Sequence, residues 1–316
     1  MCDHHDDMQN QGGAKVAPEI KSMHERRAVV QALAAGGAIT VMGAGATGCA
    51  TNPETGAKQF KGLIGSKQLD GMALSSWNEM RQKMPTSNDP RYTRRLKNVG
   101  ARVARGAGRA DQKWDYEVFD QDTKNAFVLP GNRVGFYKGM MDFADNDDQI
   151  AAIMGHEVGH VAGEHALERV NQQLGGQLLI GGASILGGVM MGRKCNQATS
   201  AAERNNCNRQ TAQNTKKLNT ALGLGFTFGV ILPYSRKHEL QSDLLGAKYM
   251  HKSGYEPQQA VKLWEKMAKN SPSRQPEFMS THPDPARRAR QLHDYISYQE
   301  KLGSQGWQSI AMPKSS

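Results

Sequence analysis

Residues 153 to 165 read IMGHEVGHVAGEH. The run is mostly apolar or small, yet it carries three histidines and two glutamates. Behind it stands IAAIM, so the segment reads as a largely buried helix. Titratable groups in such a place must be partnered or must hold an ion. On a helix His156 and His160 are i and i+4 and project about 40° apart. Their ring nitrogens can share one ion. Glu157 is rotated by about 100° and lies beside that ion, not on it. Zinc hydrolysis needs this arrangement: two neutral imidazoles, a third protein ligand, and an open position for water. The metal lowers the water's pKa towards about 7, and Glu157 takes the proton as general base. A satisfied structural pair of histidines is the alternative. Chance gives the five-residue pattern in roughly one chain in a hundred, so the third ligand has to decide.

HEVGHVAGEH nearly makes the longer motif HExxHxxGxxH, but its last position is Ala166. His165 comes nine residues after His156, about 180° round a continuous helix, and points away. The pattern ALERVNQQ continues the helix to about residue 173, which leaves His165 a surface residue or one supporting a ligand. Glu239, in SRKHELQSDLLG, is a better third ligand. Asp243 lies four residues on, on the same face, and can accept the other ring N–H of a zinc histidine. His238 is a rival to Glu239.

The rest of the chain places these helices. RYTRRLKNVGARVARGAGR (91–109) sets Leu96, Val99 and Val103 at helical spacing among arginines. That predicts an amphipathic helix with a solvated basic face. WDYEVFD (114–120), NAFVLP (125–130) and RVGFYKG (133–139) are β-rich, and PGN between the last two is turn chemistry. They predict a small antiparallel sheet ending in a hairpin. Asn146 followed by Gln149 predicts a capping box for the zinc helix. Residues 174–192 and 218–233 are apolar and glycine-rich; they read as a buried helical hairpin, with membrane spans as the alternative. Helices over 235–254 and 256–270 follow, then a loop containing His282. A last helix opens at Asp284–Pro285 and runs to about Gly303.

With 316 residues and 38% hydrophobic content the chain can bury a sizeable core. The net charge of +10 suits anionic lipid as well as nucleic acid and excludes neither. Residues 23–49 decide more. A charged HERR precedes an apolar stretch ending in ATGC, the layout of an export signal. Cys49 then stands where a lipoprotein would be acylated; a plain membrane anchor is the alternative, and Met23 could be the start. Of the other cysteines, Cys195 and Cys207 flank a polar run. In an oxidising compartment they would pair, closing a loop worth about 3 kcal/mol.

Taken in order, GHEVGHVAGEHALER, LPYSRKHELQSDLLGAKYM and STHPDPARRARQL resemble the gluzincin zinc endopeptidases of the HtpX and CAAX-protease type. The resemblance is strongest to their periplasmic, lipoprotein-like branch and to related mitochondrial quality-control proteases. NAFVLPGNRVGFYKGMM is similar to the hairpin that precedes the zinc helix in that family. The resemblance covers about residues 90–295. It implies one zinc per chain on His156, His160 and Glu239, with Glu157 as base and Asp243 behind the ligands. It also implies an edge strand within 125–139 that pairs with extended substrate. His282 is implied beside the metal, as oxyanion donor or removable fourth ligand. Ser242 departs from the family's usual alanine, and the cysteine-bearing insert is long.

The resulting expectation is an α+β, mainly helical fold: a zincin-like domain whose small sheet packs on the HExxH helix. Its parts are a signal region (1–49), a linker and docking helix (50–88), the protease domain (89–303, with the 174–233 insert) and a tail (304–316). The expected function is a cell-envelope endopeptidase, held at the outer membrane by a lipid anchor, that cleaves misfolded or unassembled polypeptides and acts near the outer-membrane assembly machinery. No nucleic-acid partner is expected in that compartment. The alternative is a chaperone or assembly factor with a structural zinc.

Overall fold

The structure is a computed structural model that describes residues 48–62, 64–172, 200, 234–269, 278, 281–282 and 284–310. The chain divides into two compact units. One draws on Thr51–Ala57, Trp77–Ala166 and Ile231–Ser316 and holds every candidate catalytic and metal-ligating residue. The other includes Lys58–Ser76 and the chain from Leu167. In it Asn171 closes a buried loop, accepting from Ile64 N at 2.8 Å and donating to Ile64 O at 3.2 Å. Strands β1 (Gly48–Thr51) and β2 (Lys58–Lys61) pair with each other.

Helix α1 spans Ser66–Lys83. Trp77 on it is fully buried, with its ring edge against Phe119 and its Nε1–H donated to Asp115 at 2.7 Å. Helix α2 (Pro90–Gly106) starts as the sequence requires: Pro90 occupies the first turn, and the Asp89 carboxylate accepts from Arg91 N at 2.8 Å. Leu96, Val99 and Val103 form its buried stripe.

Strands β3 (Asp115–Phe119), β4 (Ala126–Leu129) and β5 (Arg133–Tyr137) form a sheet in the order β3-β5-β4. The expected hairpin is β4–β5, antiparallel, with Phe127 opposite Gly135. Gly131 and Asn132 turn it at φ values of 82° and 60°. The sheet is mixed, however, and not purely antiparallel: β5 lies between β4 and β3 and pairs with β3 in parallel, Tyr116 opposite Val134. The outer edge of β3 is already taken by residues 85–87, through Ser87 N to Val118 O at 2.7 Å and Asp120 N to Pro85 O at 2.8 Å. The hairpin joins the free edge of β3 with its second strand innermost. Among the described residues β4 is left as the edge strand, packed on the next long helix.

After α3 (Lys138–Phe143), that helix is α4, Asp147–Ala162. Asn146 caps it, accepting from Gln149 N at 2.9 Å. The Gln149 side chain reaches back as a capping box does, but to Asp145 N at 2.9 Å, one residue early. Asp147 and Asp148 place negative charge at the positive end of the helix dipole. The helix does not run on to 173: a turn at Gly163–Glu164 breaks it, and helix resumes at 165–172.

Helix α5 (Arg236–Lys252) packs on α4 in the most extensive helix contact of the described chain. Glycines permit it. A Cβ on Gly159 would lie 2.7 Å from Ser242 O, and one on Gly155 3.0 Å from Gly246 O. Helices α6 (Gln258–Lys269) and α7 (Pro285–Lys301) complete the layer. Asp284 caps α7 from a left-handed conformation, φ 63°.

No helix among the described residues is long and apolar enough to cross a membrane. Residues 174–192 and 218–233, and the cysteines Cys195 and Cys207, lie outside the described residues. Cys49 is disulfide-bonded.

Adding one methyl at the α4–α5 contact tests this packing. Gly159→Ala meets backbone, which cannot rotate away, so the helices must separate. The expected cost is about 1–3 kcal/mol, read from urea unfolding, with weaker metal binding because Glu239 moves with α5.

Candidate active site

Helix α4 supplies His156, Glu157 and His160, α5 supplies Glu239 and Asp243, and the segment before α7 supplies His282; all are buried. Ser235 starts α5 by accepting from His238 N at 3.2 Å, which fixes the first turn that carries Glu239. Phe278 anchors His282: it accepts from His282 N at 2.8 Å, and the two rings stack at 4.3 Å.

Four ligand atoms converge. His156 Nε2 lies 3.0 Å from His160 Nε2 and 3.1 Å from His282 Nδ1. Glu239 Oε1 lies 3.0 Å from His282 Nδ1 and 3.5 Å from His160 Nε2. Zn–N bonds of 2.0–2.1 Å imply tetrahedral edges of roughly 3.3 Å, which these separations approach. The protons argue the same way. His156 donates Nδ1–H to Asp243 Oδ1 at 2.8 Å, which in the neutral ring leaves Nε2 as a bare lone pair. Burial holds His160 well below the usual histidine range, so it is neutral. When His160 carries its proton on Nδ1, two bare lone pairs face each other at 3.0 Å, and only a shared cation makes that favourable. The donor set of three imidazoles and one carboxylate fits zinc.

Arg288, which sequence reasoning did not single out, holds the carboxylates. Its Nε and Nη2 donate to the two Asp243 oxygens, each at 2.7 Å, and Nη1 donates to Glu239 Oε2 at 3.0 Å. The guanidinium lies 4.2 Å over the Trp264 ring. Burial alone would push Asp243 and Glu239 up. Against it act His282, Arg288 and His160 for Glu239, and Arg288 and His156 for Asp243, and both carboxyls stay below the usual range. Glu157 differs. Burial pushes it above the usual range, against the pull of His282 and His156. Its Oε1 accepts no hydrogen bond among the described residues. The nearest cationic partner is His282 Nε2, at 3.6 Å. A buried, proton-hungry carboxylate beside a cation site has the properties of a general base.

His238 is excluded from the ligand group. Its ring stacks on His165 at 4.3 Å instead. His165 does not point away as the continuous helix predicted. The break at Gly163–Glu164 turns it inward, fully buried, with Nδ1 3.0 Å from His160 Nδ1. Tyr234, also missed, stacks on the His160 ring at 3.9 Å. Tyr234 does not announce itself in sequence; His165 does, as a surface residue or one supporting a ligand, but its direction depends on where the chain turns.

A family model described as peptidase family M48 matches residues 90–296. The mitochondrial metalloendopeptidase OMA1 of Schizosaccharomyces pombe is 26% identical over 71% of this chain and 60% of its own length. The beta-barrel assembly-enhancing protease of Escherichia coli is 27% identical over 66% of this chain and 40% of its own length. Metalloprotease LoiP of the same organism is 24% identical over 77% of this chain and 86% of its own length. The chain thus spans only about half the length of the first two relatives.

Arg288→Leu tests the charge balance. In the presence of chelator the variant should lose about 3 kcal/mol at pH 7, because breaking a buried ion pair leaves its charge uncompensated. In the wild type the lowered carboxyls stabilise the fold above their unfolded pKa, and that contribution is lost as pH falls through the folded values. In the variant burial raises them, so protonation relieves the penalty. The deficit in urea midpoint should therefore shrink as pH falls.

Proposed function

The chain belongs to peptidase family M48, and from that premise we propose that it is a zinc endopeptidase of the cell envelope that cleaves misfolded or unassembled polypeptides. The observation that carries this is the pair of imidazole nitrogens 3.0 Å apart beside Glu157, a buried carboxylate with an unbonded oxygen. His156, His160 and Glu239 would hold one zinc, with His282 as a fourth, removable ligand. The ion, when bound, supplies Lewis acidity towards water and the scissile carbonyl. Glu157 takes the proton of the attacking water and returns it to the leaving amine. Asp243 fixes the His156 tautomer, and Arg288 keeps Asp243 and Glu239 ionised. Withdrawal of His282 Nδ1 from the ligand group would admit water and substrate.

β4 supports the reading for extended substrates. An edge strand offers alternate N–H and C=O groups to an added chain, which gives affinity with little sequence selectivity. Misfolded polypeptides meet that condition. The relative named for β-barrel assembly makes outer-membrane proteins a reasonable substrate class, and the assembly machinery a partner. The envelope location rests on the export-like residues 23–49. Acylation and a disulfide are mutually exclusive at the Cys49 sulfur, and the intact mass of protein extracted from the envelope distinguishes them. The pairing of Cys195 with Cys207 is likewise proposed; thiol labelling of denatured, unreduced protein should find neither free.

Glu157→Gln should retain zinc and fold but lose about 10²–10⁴-fold in casein cleavage. Retained rescue of envelope assembly by that variant would favour the chaperone alternative. For the wild type, kcat/KM should fall as pH drops through a value above the ordinary carboxylate range, since burial raises the Glu157 pKa and only its ionised form accepts a proton.

His282→Ala should keep zinc and raise basal activity, if its ring competes with water for the ion. A loss of kcat by about 10²-fold would instead assign it to the oxyanion.

A further inference from the structure

His156 and His160 are held by different means. Behind His156 stands Asp243, an anion neutralised by Arg288. Behind His160 stands another imidazole, His165, whose Nδ1 lies 3.0 Å from His160 Nδ1. Two neutral imidazoles that meet through these nitrogens share one proton, and which ring carries it decides whether His160 can bind a metal. If His160 Nδ1 is the donor, its Nε2 is bare and faces His156 Nε2. If His165 Nδ1 is the donor, the His160 proton sits on Nε2, inside the ligand group, and blocks it.

The far side of His165 settles the choice. His165 Nε2 lies 3.0 Å from Gln241 Oε1, a carbonyl oxygen that only accepts. A neutral His165 that donates from Nε2 has a bare Nδ1, so the proton between the rings must belong to His160. Ser242 Oγ, 3.2 Å from the same Nδ1, can donate to it and reinforces that tautomer. His165 is fully buried, so water cannot take over the role.

The backbone is shaped to this end. Glu164 sits at φ 52°, a left-handed conformation uncommon for a residue with a side chain. Gly163 cannot be replaced freely, because a Cβ there would come within 2.2 Å of the His165 ring. His238 stacks on the ring's other face, 13° from parallel. A carboxylate in place of His165 would orient His160 equally well, but it would bury another anion with Arg288 already committed to Asp243 and Glu239. An imidazole locked by an amide orients the ligand without adding charge.

We propose that His165 is a positioning residue of the metal site, which together with Gln241 locks His160 in the tautomer whose Nε2 is free to bind. The inference rests on the metal-site reading above and concerns a residue that touches neither metal nor substrate.

The test is zinc affinity of the full chain by competition with a chromophoric chelator, beside ¹⁵N-histidine spectra of the metal-free protein. His165→Phe keeps the ring shape and removes both nitrogens; Gln241→Leu keeps His165 and frees its tautomer. Each should weaken zinc binding about 10–100-fold. His165→Asn places an amide oxygen near the former Nδ1 and should recover most of the loss. In the spectra, His160 should carry its proton on Nδ1 in the wild type and in the Asn variant, and lose that preference in the other two. Urea midpoints of the metal-free variants control for folding, and Gln241→Leu keeps the test decisive should His165→Phe fail to fold. Wild-type zinc affinity in both His165→Phe and Gln241→Leu would overturn the proposal, as would an Asn variant as weak as Phe. If the wild type binds no zinc, the metal reading falls, and the spectra alone still decide whether His165 sets the His160 tautomer.

Discussion

The site exists because α4 and α5 touch backbone to backbone. At Gly155 and Gly159 the helices approach until a single methyl on either glycine would meet the main chain opposite. That closeness brings Glu239 within 3.5 Å of the ring nitrogens of His156 and His160, and Asp243 to 2.8 Å from the other nitrogen of His156. Larger side chains at the contact would push interaxial distance to the ordinary 8–10 Å range, and carboxylates of Glu and Asp length would no longer reach. The sheet and α2 brace α4 from its other side, so packing contributes to the geometry of the ligand group. This is what a metal site needs if it is to be formed before the metal arrives.

A site so dry must balance its charge locally. Arg288 does this for Asp243 and Glu239 with a forked set of contacts that a lysine could not reproduce. Its own charge is sheltered over Trp264. His282, drawn up by Glu239 despite its burial, supplies further compensation in the absence of an ion. A bound divalent cation would take over that duty, and the His282 proton would become redundant.

Much of this was legible in the sequence, for a definite reason. The i, i+4 spacing of His156 with His160, and of Glu239 with Asp243, encodes side-chain direction wherever the backbone is a regular helix. The cap at Asn146 and the helix start at Asp284–Pro285 were equally local and readable. The failures lie where direction depends on an irregular backbone or on long-range pairing. His165 was placed by a helical wheel that the turn at Gly163–Glu164 invalidates. Arg288 sits in PARRARQL among arginines of the same type, and only the fold selects which one is buried. The parallel pairing of β3 with β5 is a long-range choice between the two strands of the hairpin, and no strand pattern contains it.

What separates the proposed base from the proposed ligands is also a matter of partners. Asp243 and Glu239 are each met by Arg288 at 3.0 Å or less, and both are held ionised. Glu157 is as deeply buried as they are, yet Oε1 has no hydrogen bond among the described residues. Its partner at 3.6 Å is a histidine that can itself move in the proposed cycle. Leaving a buried carboxylate unsatisfied costs stability, and natural proteins tend to break such local rules at functional sites. A pair of structural histidines would give no reason for that cost. A proton acceptor does, because the same lack of partners that destabilises the ionised carboxylate raises its affinity for the proton of an attacking water.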